Sequence, residues 1–273
     1  MEKKEMFNQI IGYENEKDSL KRIIDILNNK EKYKEFDVKV PNGLLLYGAP
    51  GLGKSSMSYE FIKCCQRKSY IIRKIKSNGD FIHYLNTVFK EAEKNQPSVI
   101  LLDDLDKFSE NNNKTNNEEF VTVQALIDSI KDKDIFVIAT VNDKYILPKS
   151  LLRPGRFDIQ IEIKKPNDKE LIKIFEYYLK NKKISKDVNI KNISYILNGS
   201  SCATLEKVCN QAGIYAGYKN KTEIEMEDLL KASLEYVYDT IIEDIDKEDK
   251  YTIKIAYHEA GHTLIGELLE PGS

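Results

Sequence analysis

Gly48-Ala49-Pro50-Gly51-Leu52-Gly53-Lys54-Ser55 is the stretch that decides how this chain is read. It fits the pattern G-x-x-x-x-G-K-[ST] and follows directly on an apolar run, Leu44-Leu45-Leu46-Tyr47. A buried strand that opens through glycines into a helix makes a phosphate cradle, because successive backbone N–H groups and the helix N-terminus can face one anion. Lys54 adds a positive charge aimed at the β- and γ-phosphates, and Ser55 adds a hydroxyl suited to Mg2+. Met57, Phe61, Ile62 and Cys65 then recur at helical spacing, which supplies the helix the pattern requires. ATP with Mg2+ is the expected ligand, held by Pro50, Gly51, Leu52, Gly53, Lys54, Ser55 and Ser56.

Outward from this loop, residues 44–163 alternate short apolar runs with helical patterns, as a parallel α/β sheet does. Strands are expected at 43–47, 70–74, 99–103, 135–140 and 159–163. Pro166-Asn167-Asp168 breaks the alternation, and the period then turns helical, with Leu171, Ile174, Phe175 and Tyr178 on one face and later Leu205, Val208, Cys209 and Ala212 on another. The expected organisation is an α/β nucleotide-binding domain over 1–166, a small all-helical domain over 167–238, and a charged linker with a last helical segment over 239–273. The Asn-rich stretch 110–117 reads as a flexible surface loop, since it has nothing apolar to bury.

The bulk composition narrows the classes. A chain of 273 residues with 41% hydrophobic side chains can bury a sizeable core. A formal net charge of −2 gives no reason to expect nucleic acid or an anionic membrane as partner. The cysteines fall as Cys64-Cys65, Cys202 and Cys209, without the C-x-x-C spacing of zinc or redox sites, and read as buried thiols in a reducing compartment. No apolar stretch approaches the roughly 18 residues of a membrane helix, and the N-terminal residues lack a signal-peptide core, so a cytoplasmic chain is expected as supplied.

Three further segments carry chemistry. Val99-Ile100-Leu101-Leu102-Asp103-Asp104 is an apolar strand ending in two carboxylates: Asp103 is expected beside the Mg2+ held by Ser55, and Asp104 beside the attacking water. Ile138-Ala139-Thr140-Val141-Asn142 ends another strand in an amide that can help hold that water. Leu151-Leu152-Arg153-Pro154-Gly155-Arg156-Phe157-Asp158 sets two arginines on a Pro-Gly turn, and their bidentate geometry suits a γ-phosphate in transfer.

These segments, in this order and spacing, resemble an AAA+ ATPase, and specifically the FtsH-type ATP-dependent zinc proteases. The resemblance runs from Phe7-Asn8-Gln9-Ile10-Ile11-Gly12 nearly to the C-terminus. It implies a parallel-sheet P-loop AAA+ domain with a helical lid, and a homo-oligomeric ring, hexameric by that likeness, that acts on protein substrates. Membrane contact would come only through segments absent from this chain. The resemblance further implies that Ile11 and Gly12 lie near adenine, that Asn142 is the polar sensor, that Arg156 is the finger reaching a neighbour's γ-phosphate, and that Arg153 is a second arginine of the same turn. Ala203, in Gly199-Ser200-Ser201-Cys202-Ala203-Thr204-Leu205, falls in the lid segment that closes over nucleotide. Three positions and one segment depart from the family pattern. Cys202 replaces a glycine, Asp104 stands where the family has Glu, and Ile159 lies where many members have a third arginine. The segment from Asp80-Phe81 to Phe89 is shorter than the family segment that carries the pore loop, and Phe81, Tyr84 and Leu85 are the local candidates for gripping substrate.

His258-Glu259-Ala260-Gly261-His262 sits in a helical pattern over 253–269 and sets two imidazoles one turn apart, with Glu259 as the expected general base on a zinc-bound water. Catalytic zinc needs a third protein ligand. In the similar proteases that ligand is an acid far downstream, so the zinc site of His258 and His262 is expected to be incomplete here, and Zn2+ to belong only to a longer native chain.

Overall fold

The computed structural model describes residues 6–74, 80–108 and 118–239. Among these, five strands form one parallel sheet: β1 (Gly43–Tyr47), β2 (Lys68–Ile72), β3 (Ser98–Leu102), β4 (Ile135–Val141) and β5 (Ile159–Glu162), in the order β2-β3-β4-β1-β5. Helices α1 (Glu14–Asn28), α2 (Lys30–Lys34), α3 (Lys54–Cys64), α4 (Asp80–Lys94) and α5 (Glu118–Ser129) lie before and between the strands.

The apolar runs of the central strands β1, β3 and β4 are continuous because both faces of the sheet are covered there, whereas the edge strands β2 and β5 are partly exposed. Side chains of a strand alternate between faces, so Leu44 and Leu46 of β1 join one cluster, with α1 and α3, while Leu45 joins the other, with α4 and α5. All seven residues of β4 are buried. Truncating one of these leucines to alanine would cost about 2–5 kcal/mol, because the packed faces cannot collapse into the void.

After Pro166 the chain is helical, with α6 (Asp168–Leu179), α7 (Ile190–Ile196), α8 (Cys202–Tyr218) and α9 (Met226–Tyr238). Asn167 starts α6 in a capping box: its side chain accepts from the N–H groups of Lys169 and Glu170, and Glu170 accepts from the N–H of Asn167. Leu171, Ile174, Phe175, Leu205, Val208, Cys209 and Ala212 are buried as the helical period requires, and their core is continuous with the α1/α3 side of the sheet.

The strands expected at 70–74 and 99–103 run two residues and one residue earlier. Parallel pairing decides this, since Lys68 registers with Ser98 and Ile72 with Leu102. Arg73 is thereby moved from a strand interior, and Asp103 from the last strand position, to the residue just beyond the carboxyl edge of the sheet. The stretch 110–117, the linker, and Glu259 with His258 and His262 lie outside the described residues. Among the described residues no helix is long and apolar enough to cross a membrane.

Candidate nucleotide site

The carboxyl ends of β1, β3 and β4 converge where connections leave the central strands in opposite directions, the crevice in which open α/β sheets bind ligands. From β1 the chain turns through Gly48–Gly53 into α3. Gly48 is obligatory on space alone, because a Cβ there would lie 2.1 Å from the carbonyl oxygen of Ile163. Gly51, at φ +77°, is obligatory on backbone as well as space: a Cβ would meet Ser201 and Ala203 of the helical part within 3 Å. The loop therefore touches the helical domain directly, and the N–H of Ala203 donates to the Gly51 carbonyl at 3.1 Å.

Lys54 is 6% exposed. Its Nζ donates to the carbonyls of Gly48 and Ala49 at 2.8 and 2.9 Å and to Oδ1 of Asn142 at 2.9 Å. Burial lowers its pKa, while the nearby carboxylates of Asp106, Asp104 and Asp103 act in the opposite direction. Asn142 is itself held by Asp106, whose Oδ2 accepts from the Asn142 side-chain amide at 2.9 Å and from its backbone N–H at 3.2 Å. The other oxygen of Asp106, Oδ1, is buried without a partner among the described groups. A strand-end amide and the cradle lysine are thus one hydrogen-bonded unit.

Ser55 Oγ donates to Oδ1 of Asp103 at 2.8 Å. Asp103 is fully buried and also accepts from Thr140 Oγ1 at 2.7 Å, from the Tyr59 hydroxyl at 3.1 Å, and from the Arg73 guanidinium. Burial alone would raise its pKa, but the bonds from Thr140, Ser55, Arg73 and Tyr59 outweigh it and hold the carboxyl below its ordinary value. Asp104 follows at φ 55°, a left-handed conformation uncommon for a non-glycine residue. Its N–H donates to Thr140 Oγ1 at 2.8 Å, and its carboxylate takes Lys107 Nζ at 2.7 Å. The Thr140 hydroxyl thus ties the two adjacent acids together, while the Asp104 carboxylate keeps a partner of its own in Lys107.

Beside the cradle, Ile11, Tyr13, Leu52, Gly53, Tyr178 and Cys202 surround a cavity of about 100 Å3, while Gly12 lies against the Glu170 side chain, 3.2 Å from where a Cβ would stand. The Cys202 thiol lies 3.2 Å from the Tyr13 hydroxyl, and the Tyr13 N–H donates to Glu170 at 2.8 Å. Burial raises the pKa of both Tyr13 and Cys202. Pro50 and Ser56 are exposed on the rim.

The arginine turn differs from expectation. Arg156 does not project outward. Its Nε and Nη2 grip both oxygens of Asp128 on α5 at 2.9 and 2.7 Å, and its Nη1 reaches the Ser150 carbonyl. Arg153 is the exposed member of the pair. Of the three pore-loop candidates, Phe81 and Leu85 are buried in the α4/α5 core, Phe81 edge-on to Phe108, and only Tyr84 is exposed. The short segment after Asp80 runs straight into α4, so its apolar period serves packing rather than a projecting loop.

Sequence reasoning missed Arg73, Tyr59, Thr140, Asp106 and Asp128 as partners of the candidate residues. Only Asp106 and Thr140 left a local signal, as polar residues closing otherwise apolar runs beside Asp103 and Asn142.

A parallel sheet with a glycine-rich turn into a helix, a buried lysine in the turn and a carboxylate on the next-but-one strand defines the P-loop class. Residues 44–165 match the family described as ATPase family associated with various cellular activities (AAA). The chain is 32% identical over 281 residues to the ATP-dependent zinc metalloprotease FtsH 2 of Thermoanaerobacter sp. (strain X514), covering 96% of this chain and 53% of that protein. It is 32% identical to the ATP-dependent zinc metalloprotease FtsH of Streptobacillus moniliformis, covering 98% and 41%, and 30% identical to that of Staphylococcus haemolyticus, covering 97% and 38%. Residues 44–165 thus carry an AAA ATPase domain, and nearly the whole chain is similar to the FtsH-type proteins. It spans about half or less of the length of these curated relatives.

Proposed function

We propose that the chain binds ATP with Mg2+ and hydrolyses it in a ring of identical subunits, to unfold or translocate proteins for an attached zinc metallopeptidase. The observation that carries this is the placement of Lys54 Nζ among Gly48, Ala49 and Asn142, next to the Ser55–Asp103 pair. A hydroxyl and carboxylates are the hard oxygen donors that suit a small divalent cation, and Ser55 with Asp103 would hold it. When bound, Mg2+ would neutralise charge on the β- and γ-phosphate oxygens.

The residues of the chain do the rest. Lys54 exchanges its carbonyl partners for phosphate oxygens, where a buried ammonium meets opposite charge in a poorly screened site. Asn142, fixed by Asp106, orients the attacking water. Asp104 takes the proton of that water, after Lys107 has moved off its carboxylate. Ile11 and Gly12 border the base, and Ala203 couples the lid to the phosphate loop through Gly51. Arg156 serves a neighbouring subunit's γ-phosphate, with Arg153 beside it.

Burial of Phe81 and Leu85 favours a second reading, in which the chain is a nucleotide-switched assembly or remodelling protein with weak turnover, since two of three candidate gripping residues are committed to the core. The rate of phosphate release separates the two readings.

Calorimetry tests the nucleotide site itself. Lys54→Ala is expected to weaken ATP–Mg2+ binding by at least a hundredfold, because the buried cation is the part of the cradle with full charge. Unchanged affinity would overturn the assignment.

A further inference from the structure

At the outer side of β3 stands a residue that the ATPase reading does not use. Arg73 follows the last residue of β2, and the pairing of Ile72 with Leu102 brings it level with Asp103. The N–H of Asp103 donates to the Ile72 carbonyl at 2.9 Å, so the two chain ends leave the sheet side by side. The guanidinium of Arg73 bonds Oδ2 of Asp103, with the Tyr59 hydroxyl on the same oxygen at 3.1 Å. Oδ1 is meanwhile committed to Ser55 and Thr140.

The two partners differ in environment. The Asp103 side chain has no exposure, whereas that of Arg73 is half exposed, with 50% of its surface open. A fully buried carboxylate needs a counter-charge, and this one has it from an arginine anchored only at its tip. The oxygen that Arg73 and Tyr59 occupy is the one that Ser55 and Thr140 leave open, so Arg73 holds the half of the carboxylate that a cation at Ser55 and Asp103 would need free.

We propose that Arg73 is a built-in counter-cation of the nucleotide site that competes with Mg2+ for Asp103 and supplies positive charge to the phosphates when the metal is absent. The proposal rests on the nucleotide reading above. Two consequences have opposite signs. A fixed guanidinium beside the phosphates attracts ATP without metal, and the same guanidinium repels a divalent cation and blocks one oxygen of its carboxylate. Arg73 is thus a positioning residue for Asp103 toward the metal. Metal entry requires it to swing out, which its exposed stem permits.

The test uses the whole chain and three variants, Arg73→Gln, Arg73→Lys and Lys54→Ala. ATP affinity is measured by calorimetry in EDTA, and Mn2+ binding to the ATP-saturated protein by electron paramagnetic resonance. Arg73→Gln is expected to weaken metal-free ATP binding about tenfold and to tighten Mn2+ binding about tenfold, the size of one charge-assisted contact. Arg73→Lys, which keeps the charge without the fork, should fall between parent and Arg73→Gln on both scales. General damage to the fold would weaken both constants together. Changes in the same direction, or both constants within twofold of the parent, overturn the proposal. Failure of the nucleotide reading is distinct: the parent would then bind no ATP, or Lys54→Ala would bind it as well as the parent.

Discussion

The phosphate loop and the arginine turn are two charged regions of this ATPase module, and they solve opposite problems. At the loop, Lys54, Asn142, Asp106, Ser55 and Asp103 interlock within one chain, so the cradle is formed before anything binds. At the turn, Arg156 is spent on Asp128 of its own chain, with 14% of its side chain exposed. A group meant for its own subunit's substrate can be preorganised in place. A group meant for a neighbour's has to be kept paired until the neighbour arrives, because a largely covered guanidinium without a counter-charge is costly.

The strongest way to break this comparison is to remove the arginine. Arg156→Ala is expected to lower ATP turnover about a thousandfold, as loss of an arginine finger does in other phosphoryl-transfer enzymes, while single-chain ATP affinity stays within threefold. Turnover per subunit in the parent should rise with protein concentration. Phosphate release measured from dilute to concentrated solution checks both. A flat rate per subunit, or a variant as active as the parent, would mean that the turn serves no neighbour.

Asp104 sharpens the comparison from the cis side, where the expected effect is next in size. Asp104→Asn should lower hydrolysis about a hundredfold and leave ATP bound, since general-base catalysis is worth two to four orders of magnitude. Asp104→Glu should raise it severalfold, because the added methylene lets the carboxylate approach the water more closely. Single-turnover assays with saturating ATP separate chemistry from binding. Equal rates for Asp104→Asn and the parent would assign the proton to another group.

How far the sequence carried this picture follows from where the information lies. The cradle was legible because its motif is contiguous, and the central strands β1, β3 and β4 because short continuous apolar runs at this spacing have few other fates. The partners of Asp103 were not. Arg73 precedes it by thirty residues and meets it only through β2–β3 pairing, whose register moves the strand end from 74 to Ile72. Asp128 escaped for a similar reason: a carboxylate on an amphipathic helix reads as solvated until the turn that follows β4 folds back on it. The pattern at Phe81, Tyr84 and Leu85 is ambiguous by nature, because aromatic and aliphatic residues three and four apart suit a packed helix as well as a gripping loop.

The smallest expected effect concerns acid and the latch itself. The Arg156 guanidinium, followed by burial acting the other way and by Lys131, holds the Asp128 carboxyl down to about 2. A depressed carboxylate stabilises the fold above its unfolded pKa, ordinarily near 3.9, and the contribution is lost as pH falls from there through about 2. With 35% of the Asp128 side chain exposed, solvent screening limits the pair to about 0.5 kcal/mol. Asp128→Asn should therefore be slightly less stable than the parent from pH 7 down to about 4, and the gap should narrow between pH 4 and 2.5. Urea unfolding followed by circular dichroism gives the difference at each pH, in which the other titrating groups cancel. The same substitution frees Arg156, so it should also let turnover per subunit reach its plateau at lower protein concentration. A stability gap that is as wide at pH 3 as at pH 6 would show that Asp128 is held by packing rather than by charge, and an unchanged concentration profile would show that the pair does not restrain the arginine.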